Sequence, residues 1–267
     1  MKTLKELANL HGRVAVITGA AGNLGRMIAD TLAEMGAALI LVDINKPAVE
    51  ELCKNLILKW GVKSEFYACN LEDQAERLNF VNYVLSSYSN INILVNNAAF
   101  IGSSDLTGWN VPFLHQKVET WRRVMEVNLI AIFDLCQGLY PAMEQSEGSS
   151  IVNIASIYGV SGPDWSLYEG LDMGNPASYS ASKGGLVQLN RWLATTLAPS
   201  IRVNSISPGG IFRGQPKQFI ERYEVRTPLK RMAKEEDFRG GIAYLTSDLS
   251  NYVTGQNLII DGGWGAW

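Results

Sequence analysis

Histidine and cysteine are scarce in this chain. Among 267 residues there are only 2 histidines and 3 cysteines, and Cys53, Cys69 and Cys136 form no CxxC pair. Zinc and non-haem iron sites are built from clusters of such residues, and a Ser-His-Asp triad needs a well-placed histidine. We therefore expect no metal site, a catalytic base other than histidine, and reduced cysteines that act as packing residues.

The chain also lacks a cationic block and a long apolar run. Its 23 Lys and Arg against 26 Asp and Glu give a net charge of −3, whereas nucleic-acid-binding domains carry a basic face. Apolar runs such as Ala37–Val42 are far shorter than the roughly 20 residues of a membrane span. We expect no leader segment, because the stretch MKTLKELANLHGR contains no apolar h-region. We expect a cytoplasmic protein that binds a small molecule, and neither nucleic acid nor a membrane.

Short apolar runs alternate with stretches of helical periodicity along the whole sequence. This alternation predicts an α/β fold, namely a Rossmann-like, doubly wound, seven-stranded parallel sheet flanked by helices, in one domain over residues 1–267. The predicted strands are Val14–Thr18, Ala38–Val42, Lys63–Ala68, Ile91–Val95, Ser150–Ile154, Arg202–Ile206 and Asn257–Ile260. The predicted helices are Leu24–Met35, Lys46–Trp60, Gln74–Ser87, Val118–Leu139, Tyr179–Ala198 and Lys234–Thr246.

Two long segments do not fit this alternation. Phe100–Gln116 and Gly159–Ala177 are rich in glycine, proline, tryptophan and aspartate. Long loops inside a compact domain usually serve as lids or binding loops. We therefore expect residues 159–177 to be an inserted substrate loop, and residues 210–230, farther along the chain, to form a substrate lid.

A glycine-rich turn follows the first predicted strand. Gly19, Gly22 and Gly25 lie between that strand and a helix, and Asp43 comes 18 residues after Gly25, at the end of the second strand. Glycine lets the backbone approach a pyrophosphate, the helix N-terminus offers free N–H groups, and the carboxylate can accept hydrogen bonds from ribose hydroxyls. The unit predicts a dinucleotide site that prefers NAD to NADP, because Asp43 would repel a 2′-phosphate.

These features resemble the short-chain dehydrogenase/reductase family, and the resemblance extends over essentially the whole chain. The family pattern TGxxxGxG corresponds to Thr18–Gly25, with Asn23 where glycine is usual. The NNAG motif corresponds to Asn96–Ala99, and the PG segment beside the nicotinamide corresponds to Ser207–Ile211. The resemblance implies a cofactor site formed by Gly19, Asn23, Leu24, Asp43, Asn70, Leu71, Asn97, Ala98, Ala99, Tyr179, Lys183, Pro208, Gly209 and Ile211.

The family's catalytic YxxxK motif is present as Tyr179 and Lys183. A spacing of four residues places both side chains on one helix face. A phenol has a pKa of about 10, so a base that works near pH 7 needs roughly 4 kcal/mol of differential stabilisation, which a nearby ammonium can supply. The resemblance further implies that Ser156 donates to the substrate oxygen and that Asn128 holds a water in a proton relay.

The segment between Ser156 and Tyr179 is longer than is general in this family, at 23 positions (179 − 156). Together with Asp105–Trp109 and an RGQP loop, it resembles a subgroup linked to bacterial surface-sugar and nonulosonic (legionaminic) acid biosynthesis and flagellin glycosylation. We expect Tyr158 and Arg213 to contact a polar, anionic sugar derivative. We also expect cations of the lid to lie over the substrate and to suit a phosphate or carboxylate, namely Lys217, Arg222 and Arg226. We expect carboxylates and aromatic rings of the inserted loop near Tyr179 to suit hydroxyls and the apolar face of a sugar ring, namely Asp164, Trp165, Tyr168, Glu169 and Asp172.

The leading interpretation is an NAD-dependent oxidoreductase that transfers a hydride between nicotinamide and a secondary alcohol or ketone. The alternatives are action on another small alcohol or ketone, a non-catalytic dinucleotide-binding protein, a methyltransferase, which has no need of YxxxK, and a sugar epimerase or dehydratase, whose relatives carry a further C-terminal domain.

Family relatives pair long helices across a two-fold interface, and the tail Trp264–Trp267 would otherwise expose two indoles. We therefore expect a homotetramer.

Overall fold

The chain folds around a parallel sheet of seven strands in the order β3-β2-β1-β4-β5-β6-β7. The computed structural model describes residues 1–267. Every strand pairing is parallel, which confirms the predicted fold class. The strands are β1 (Val14–Thr18), β2 (Ala38–Asp43), β3 (Ser64–Ala68), β4 (Ile93–Asn96), β5 (Ser149–Ile154), β6 (Ile201–Pro208) and β7 (Asn257–Ile260).

Helices connect the strands and cover both faces of the sheet. One face carries α2, α3 and α9 over a core of 24 buried residues, and the other carries α4, α6 and α7 over a core of 25. The central strands are apolar on both sides because both of their faces are buried. The helices are α1 (Leu4–Ala8), α2 (Asn23–Glu34), α3 (Lys46–Trp60), α4 (Gln74–Ser87), α5 (Val118–Met125), α6 (Ala131–Glu144), α7 (Ala177–Leu197), α8 (Lys217–Arg226) and α9 (Arg239–Thr246).

The bounds of α3 and α4 agree with the predicted ones because local signals fix both ends. The Asn45 side chain accepts a hydrogen bond from Ala48 N at the start of α3, and Gly61 ends this helix in the left-handed conformation. The Asp73 side chain accepts from the backbone of Ala75 and Glu76 at the start of α4. Such caps satisfy N–H groups that have no partner inside the helix.

The predicted helix Val118–Leu139 is wrong in its internal structure. The chain forms α5, then a π-turn over Glu126–Ile130, then α6, which continues to Glu144. A π-turn inserts one extra residue into the helical repeat and is frequent at functional sites. The sequence also gave no indication of α1, or of α8 inside the predicted lid.

The strand order reverses between β1 and β4, because β2 and β3 extend the sheet on one side of β1 and β4 to β7 extend it on the other. In doubly wound sheets the crevice outside the carboxyl ends of the strands at this point is the usual ligand site. The helices of the molecule include none that is both long and apolar enough to cross a membrane.

Candidate active site

A cavity of about 780 Å³ lies at the carboxyl ends of the strands. It extends from the glycine turn after β1 to the start of α7 and is covered by the inserted segment and α8. Its wall includes the predicted catalytic residues Ser156, Tyr179 and Lys183, and the predicted substrate residues Tyr158 and Arg213. It also includes every residue predicted for the cofactor: Gly19, Asn23, Leu24, Asp43, Asn70, Leu71, Asn97, Ala98, Ala99, Tyr179, Lys183, Pro208, Gly209 and Ile211.

The glycine turn requires glycine at two positions. Gly19 has φ +63, and a Cβ there would lie 2.8 Å from the Ala98 Cα atom. A Cβ at Gly25 would collide with the Gly19 carbonyl oxygen. Asn23, in contrast, is the first residue of α2 and does not have a positive φ. The replacement of glycine by Asn23 therefore causes no backbone strain, and no left-handed conformation is needed there.

The Asp43 carboxylate is fixed beside the glycine turn. Its Oδ2 accepts a hydrogen bond from Ala21 N at 2.9 Å, and its Oδ1 accepts from Asn45 N at 2.9 Å. Each carboxylate oxygen can accept more than one hydrogen bond, so both remain able to accept from a ligand hydroxyl. The neighbouring Ile44, also in the cavity wall, is 68% exposed. This end of the cavity therefore combines a held negative charge with an apolar surface.

Hydrogen bonds join the carboxyl ends of β1 and β4, where the strand order reverses. The Thr18 hydroxyl oxygen accepts from Asn97 N at 3.0 Å and from Ala98 N at 3.1 Å, and the Asn97 amide donates back to the carbonyls of Thr18 and Gly19 at 3.1 and 2.9 Å. These bonds satisfy buried backbone groups where the sheet ladder ends. They fix the floor of the cavity between the glycine turn and the catalytic helix.

Tyr179 and Lys183 lie on one face of α7, with the Lys183 ammonium nitrogen 5.9 Å from the centre of the Tyr179 ring. Lys183 is only 2% exposed, and its Nζ donates to the Ile154 carbonyl at 2.6 Å. Burial lowers the pKa of Lys183 to about 8. Burial raises the pKa of Tyr179, while the Ser156 hydroxyl and the positive charge of Arg213 act in the opposite direction.

Ser156 begins a short turn after β5 and lies beside Tyr179. Its side chain accepts a hydrogen bond from Tyr158 N at 3.1 Å, so its own proton is free to be donated into the cavity. The residue is 6% exposed. A fixed hydroxyl in a site shielded from water is the arrangement that stabilises an oxygen whose negative charge develops during a reaction.

Asn128 lies in the π-turn, behind the cavity wall. Its Oδ1 accepts from Phe100 N at 2.8 Å, and its Nδ2 donates to the Phe100 carbonyl at 3.0 Å and to the Ser182 hydroxyl at 3.2 Å. The residue is fully buried. Its side chain therefore joins Phe100, in the segment after β4, to Ser182 of α7, which precedes Lys183. The side chain does not line the cavity.

The structure corrects the expectation for three lid cations. Lys217, Arg222 and Arg226 do not line the cavity. Arg222 donates to the carbonyls of Leu167 and Glu169, Arg226 pairs with Asp164 at 2.8 Å, and Lys217 pairs with Glu221 at 3.6 Å. Arg222 and Arg226 thus join α8 to the inserted segment. Arg213 does line the cavity, where its guanidinium also pairs with Glu235 at 3.2 Å.

Several cavity residues could not be identified from sequence motifs. They lie in the inserted segment, in α8 or just after it, and belong to no motif. Some of them belong to an aromatic and aliphatic cluster that also includes Trp264. Of the two tail indoles, that of Trp264 is 2% exposed and that of Trp267 is 73% exposed. The argument from two exposed indoles is therefore wrong for Trp264. The cavity residues without a motif include Met173, Asn175, Phe219, Tyr223 and Met232. Of the loop residues expected near Tyr179, Tyr168 and Asp172 line the cavity, whereas Asp164, Trp165 and Glu169 do not.

Comparison with known proteins identifies the family. The matching family model, described as enoyl-(acyl carrier protein) reductase, covers residues 19–265. A 3-oxoacyl-(acyl-carrier-protein) reductase of Thermotoga maritima is 34% identical over 95% of this chain and 98% of its own length. Post-translational flagellin modification protein A of Campylobacter coli is 29% identical over 96% of this chain and 99% of its own.

Solved structures show the same similarity. An NAD+-bound xylitol dehydrogenase is 30% identical, with a TM-score of 0.84 over 95% of this chain and 99% of that one. A structure described as a putative gluconate 5-dehydrogenase of Beutenbergia cavernae, with bound NADP at low occupancy, is 30% identical, with a TM-score of 0.85 over 98% of this chain and 100% of that one. The chain belongs to the short-chain dehydrogenase/reductase family and has the architecture of its oxidoreductases.

Proposed function

We propose that this protein is an NAD-dependent dehydrogenase that interconverts a secondary alcohol and a ketone on a polar sugar or sugar derivative. The observation that carries the proposal is the arrangement of Ser156, Tyr179 and Lys183 in the wall of the same cavity as the glycine turn. A non-catalytic dinucleotide-binding protein or a methyltransferase has no need of this constellation.

The residues around the glycine turn fit a dinucleotide. Gly22 is the N-cap of α2 and has no side chain that could bond to the helix, so the first N–H groups of α2 are available to a pyrophosphate. Gly19, Gly22 and Gly25 line the cavity and have no side chains that would cover the backbone of this turn, so a pyrophosphate can approach it closely. Asn97, Ala98, Pro208 and Gly209 line the cavity between this turn and Tyr179. A bound nicotinamide dinucleotide supplies the hydride acceptor or donor.

The roles of the chain's own residues follow from their geometry. Tyr179 exchanges a proton with the substrate oxygen, and the Ser156 hydroxyl donates a hydrogen bond to the same oxygen. Lys183 uses one of its three N–H groups on Ile154, so the others can bind a ribose and stabilise the Tyr179 phenolate. Asn128 supports the relay by holding α7 one residue before Lys183, because its amide N–H groups are used on Phe100 and Ser182.

NAD is the preferred cofactor in this proposal because of Asp43. The carboxylate is held by two backbone N–H groups at the end of β2, where the adenosine ribose binds in doubly wound folds. Two like charges 4 Å apart interact by about 4 kcal/mol at an effective dielectric constant of 20, which disfavours a 2′-phosphate. Arg26 does not offset this, since its Nε donates to the Ala21 carbonyl and the residue lies outside the cavity wall.

A polar substrate is favoured by the cover of the cavity. Arg213, Asp172, Asn175 and Tyr158 all line it, and they supply donors, acceptors and one cation suited to hydroxyls and an anionic group. The relatives include proteins described as acting on xylitol and gluconate, and the flagellin modification relative is in keeping with a surface-sugar substrate. A fatty-acyl or steroid substrate would leave these polar groups without partners.

The test is a panel of polyols, aldoses, sugar acids and sugar phosphates with NAD and with NADP, followed by absorbance of the reduced cofactor. We expect turnover with at least one polar sugar derivative and higher kcat/KM with NAD. Arg213→Ala should raise the KM of an anionic substrate about tenfold, from loss of a charge-assisted hydrogen bond, and leave the KM for NAD unchanged. Greater efficiency on a hydrophobic ketone, or equal efficiency with both cofactors, would contradict the proposal.

A further inference from the structure

Two phenols meet in the cover of the cavity. The hydroxyl oxygens of Tyr158 and Tyr168 are 2.6 Å apart, and both residues line the cavity together with Ser156 and Tyr179. Tyr158 follows β5 by a few residues, whereas Tyr168 comes from the inserted segment. A phenol has one proton to donate and lone pairs to accept. In such a pair only one proton is used between the two rings, so the other must point elsewhere.

The neighbours of Tyr158 decide which proton is left over. Asn175 is 6% exposed, and its Oδ1 accepts from the Ser180 hydroxyl at 3.0 Å, which leaves its amide N–H groups to donate. Burial raises the pKa of Tyr158, and the Asn175 amide acts in the opposite direction, as a donor to the phenol oxygen does. With the Asn175 amide beside the Tyr158 oxygen, the direction in which Tyr158 donates to Tyr168 is favoured.

The charge balance at Tyr168 agrees with this direction. Burial raises the pKa of Tyr168, while its hydrogen bond with Tyr158 lowers that pKa, as an accepted proton does. The favoured course of the hydrogen bond between the two phenols thus runs from Tyr158 to Tyr168. It ends in the cavity on the Tyr168 proton, for which no protein acceptor is present among the hydrogen bonds of this residue.

Packing holds the ring of Tyr168 in place, and the residue lines the cavity. Tyr168 is 9% exposed, and its ring packs against Phe219 and Trp165 at centroid distances of 5.4 and 5.8 Å. One nitrogen of Arg222 donates to the carbonyls on both sides of it, Leu167 at 3.2 Å and Glu169 at 2.7 Å. A donor fixed in advance loses little entropy when it binds a ligand.

We propose that the Tyr168 hydroxyl is a substrate-binding donor that selects alcohols with a second oxygen, such as a further hydroxyl or the ring oxygen of a sugar. Tyr158 and Asn175 are positioning residues that orient this donor. The inference rests on the proposed dehydrogenase function and names the group that distinguishes a polyhydroxy substrate from a simple alcohol. The inserted segment is thereby part of the specificity pocket and not only a cover.

The test compares the wild type with Tyr168→Phe, each on a parent substrate and on deoxy analogues of that substrate. Tyr168→Phe removes the hydroxyl and keeps the ring. With the best polyol or sugar of the panel, we expect a three- to tenfold lower kcat/KM, about the value of a neutral hydrogen bond, mainly through KM. One mono-deoxy analogue should lose a similar factor with the wild type and nothing further with Tyr168→Phe. Tyr158→Phe should show a smaller loss in the same direction.

The controls separate this inference from the proposed function. Tyr83→Phe removes a phenol that donates to Glu65 at 2.8 Å, away from the cavity, and should change neither parameter. Equal losses by Tyr168→Phe on the parent compound and on every deoxy analogue would overturn the role of Tyr168, although wild-type turnover with NAD would keep the proposed function intact. A wild type that oxidises no alcohol would overturn the proposed function and this inference with it.

Discussion

At the scale of single residues, Tyr179 carries the chemistry of the site. Its hydroxyl faces Ser156 and the charge of Arg213, and burial raises its pKa in the absence of ligand. Tyr179→Phe keeps the ring and removes the proton, so kcat should fall by about 10²- to 10⁴-fold, the usual contribution of a general acid or base. Steady-state kinetics measures this loss, and fluorescence titration should show unchanged NADH binding. Substantial residual turnover would show that another group is the acid.

Lys183 gives a prediction about stability and pH. Its folded-state pKa is about 8 because of burial, whereas a lysine in the unfolded chain has a pKa of about 10.4. Between these pH values the unfolded state binds more protons, so stability from this group rises with pH. Relative to Lys183→Met, the wild type should gain on the order of 3 kcal/mol from pH 8 to about 10.5.

Urea unfolding of the cofactor-free protein at several pH values measures this gain. Below pH 8 both states are protonated and the difference between wild type and Lys183→Met should be constant. If the two stability curves run parallel through the whole alkaline range, the lysine is not buried as a neutral amine.

At the scale of elements, Arg77 of α4 joins three parts of the site. It is 2% exposed, and it donates to the Leu71 carbonyl at 2.6 Å, to Asp134 at 2.6 Å and to Glu126 of the π-turn at 2.8 Å. Arg77→Leu should lower the free energy of unfolding by about 2–4 kcal/mol, because buried ion pairs lose most when one partner is removed. It should also raise the KM for NAD, since Leu71 lines the cavity.

Arg123→Leu is the matched control for Arg77→Leu. Arg123 pairs with Glu72 at 2.6 Å, but its side chain is 49% exposed, and exposed ion pairs contribute about 0–1 kcal/mol. Denaturant unfolding and cofactor titration compare the two variants. If both lose the same stability, the buried position of Arg77 has no special role.

The strands and helices differ in how well the sequence predicts them. The strands were predictable because strands buried on both faces are short apolar runs. The π-turn was not, because the helical period before and after it is the same and the change is a shift of one residue. Helix α8 was missed because it buries only Phe219 and Tyr223, which is too short a stripe to stand out among its charges.

Much of the site was predictable for a different reason. Gly19, Asp43, Ser156, Tyr179 and Lys183 were identified from motifs, and all five line the same cavity. The partners of Arg222 and Arg226 were not predictable, since a cation on a lid can bind a substrate or a neighbouring loop equally well. That choice depends on which carbonyls and carboxylates the folded chain places nearby, and no local pattern records it.

At the scale of the whole molecule, exposed apolar side chains indicate self-association. Ile130 at the end of the π-turn, Phe133 of α6 and Trp192 of α7 are 46%, 39% and 54% exposed. Large exposed apolar groups on long helices are typical of interfaces between identical subunits. We predict a homotetramer, measured by light scattering at micromolar concentration. Phe133→Asp with Trp192→Asp should give a smaller species, and a monomeric wild type would contradict the prediction.

The hydrogen bonds of Arg222 to the inserted segment determine which substitutions the substrate pocket can accept. Arg222 binds the main-chain carbonyls of Leu167 and Glu169, and every amino acid supplies a carbonyl. The side chain at position 168, between them, can therefore be exchanged while the attachment of the segment to α8 persists. Mutational libraries at Tyr168 should yield many folded proteins with altered preferences, because the segment is attached through the backbone of the two flanking residues, whereas recognition uses the side chain of Tyr168.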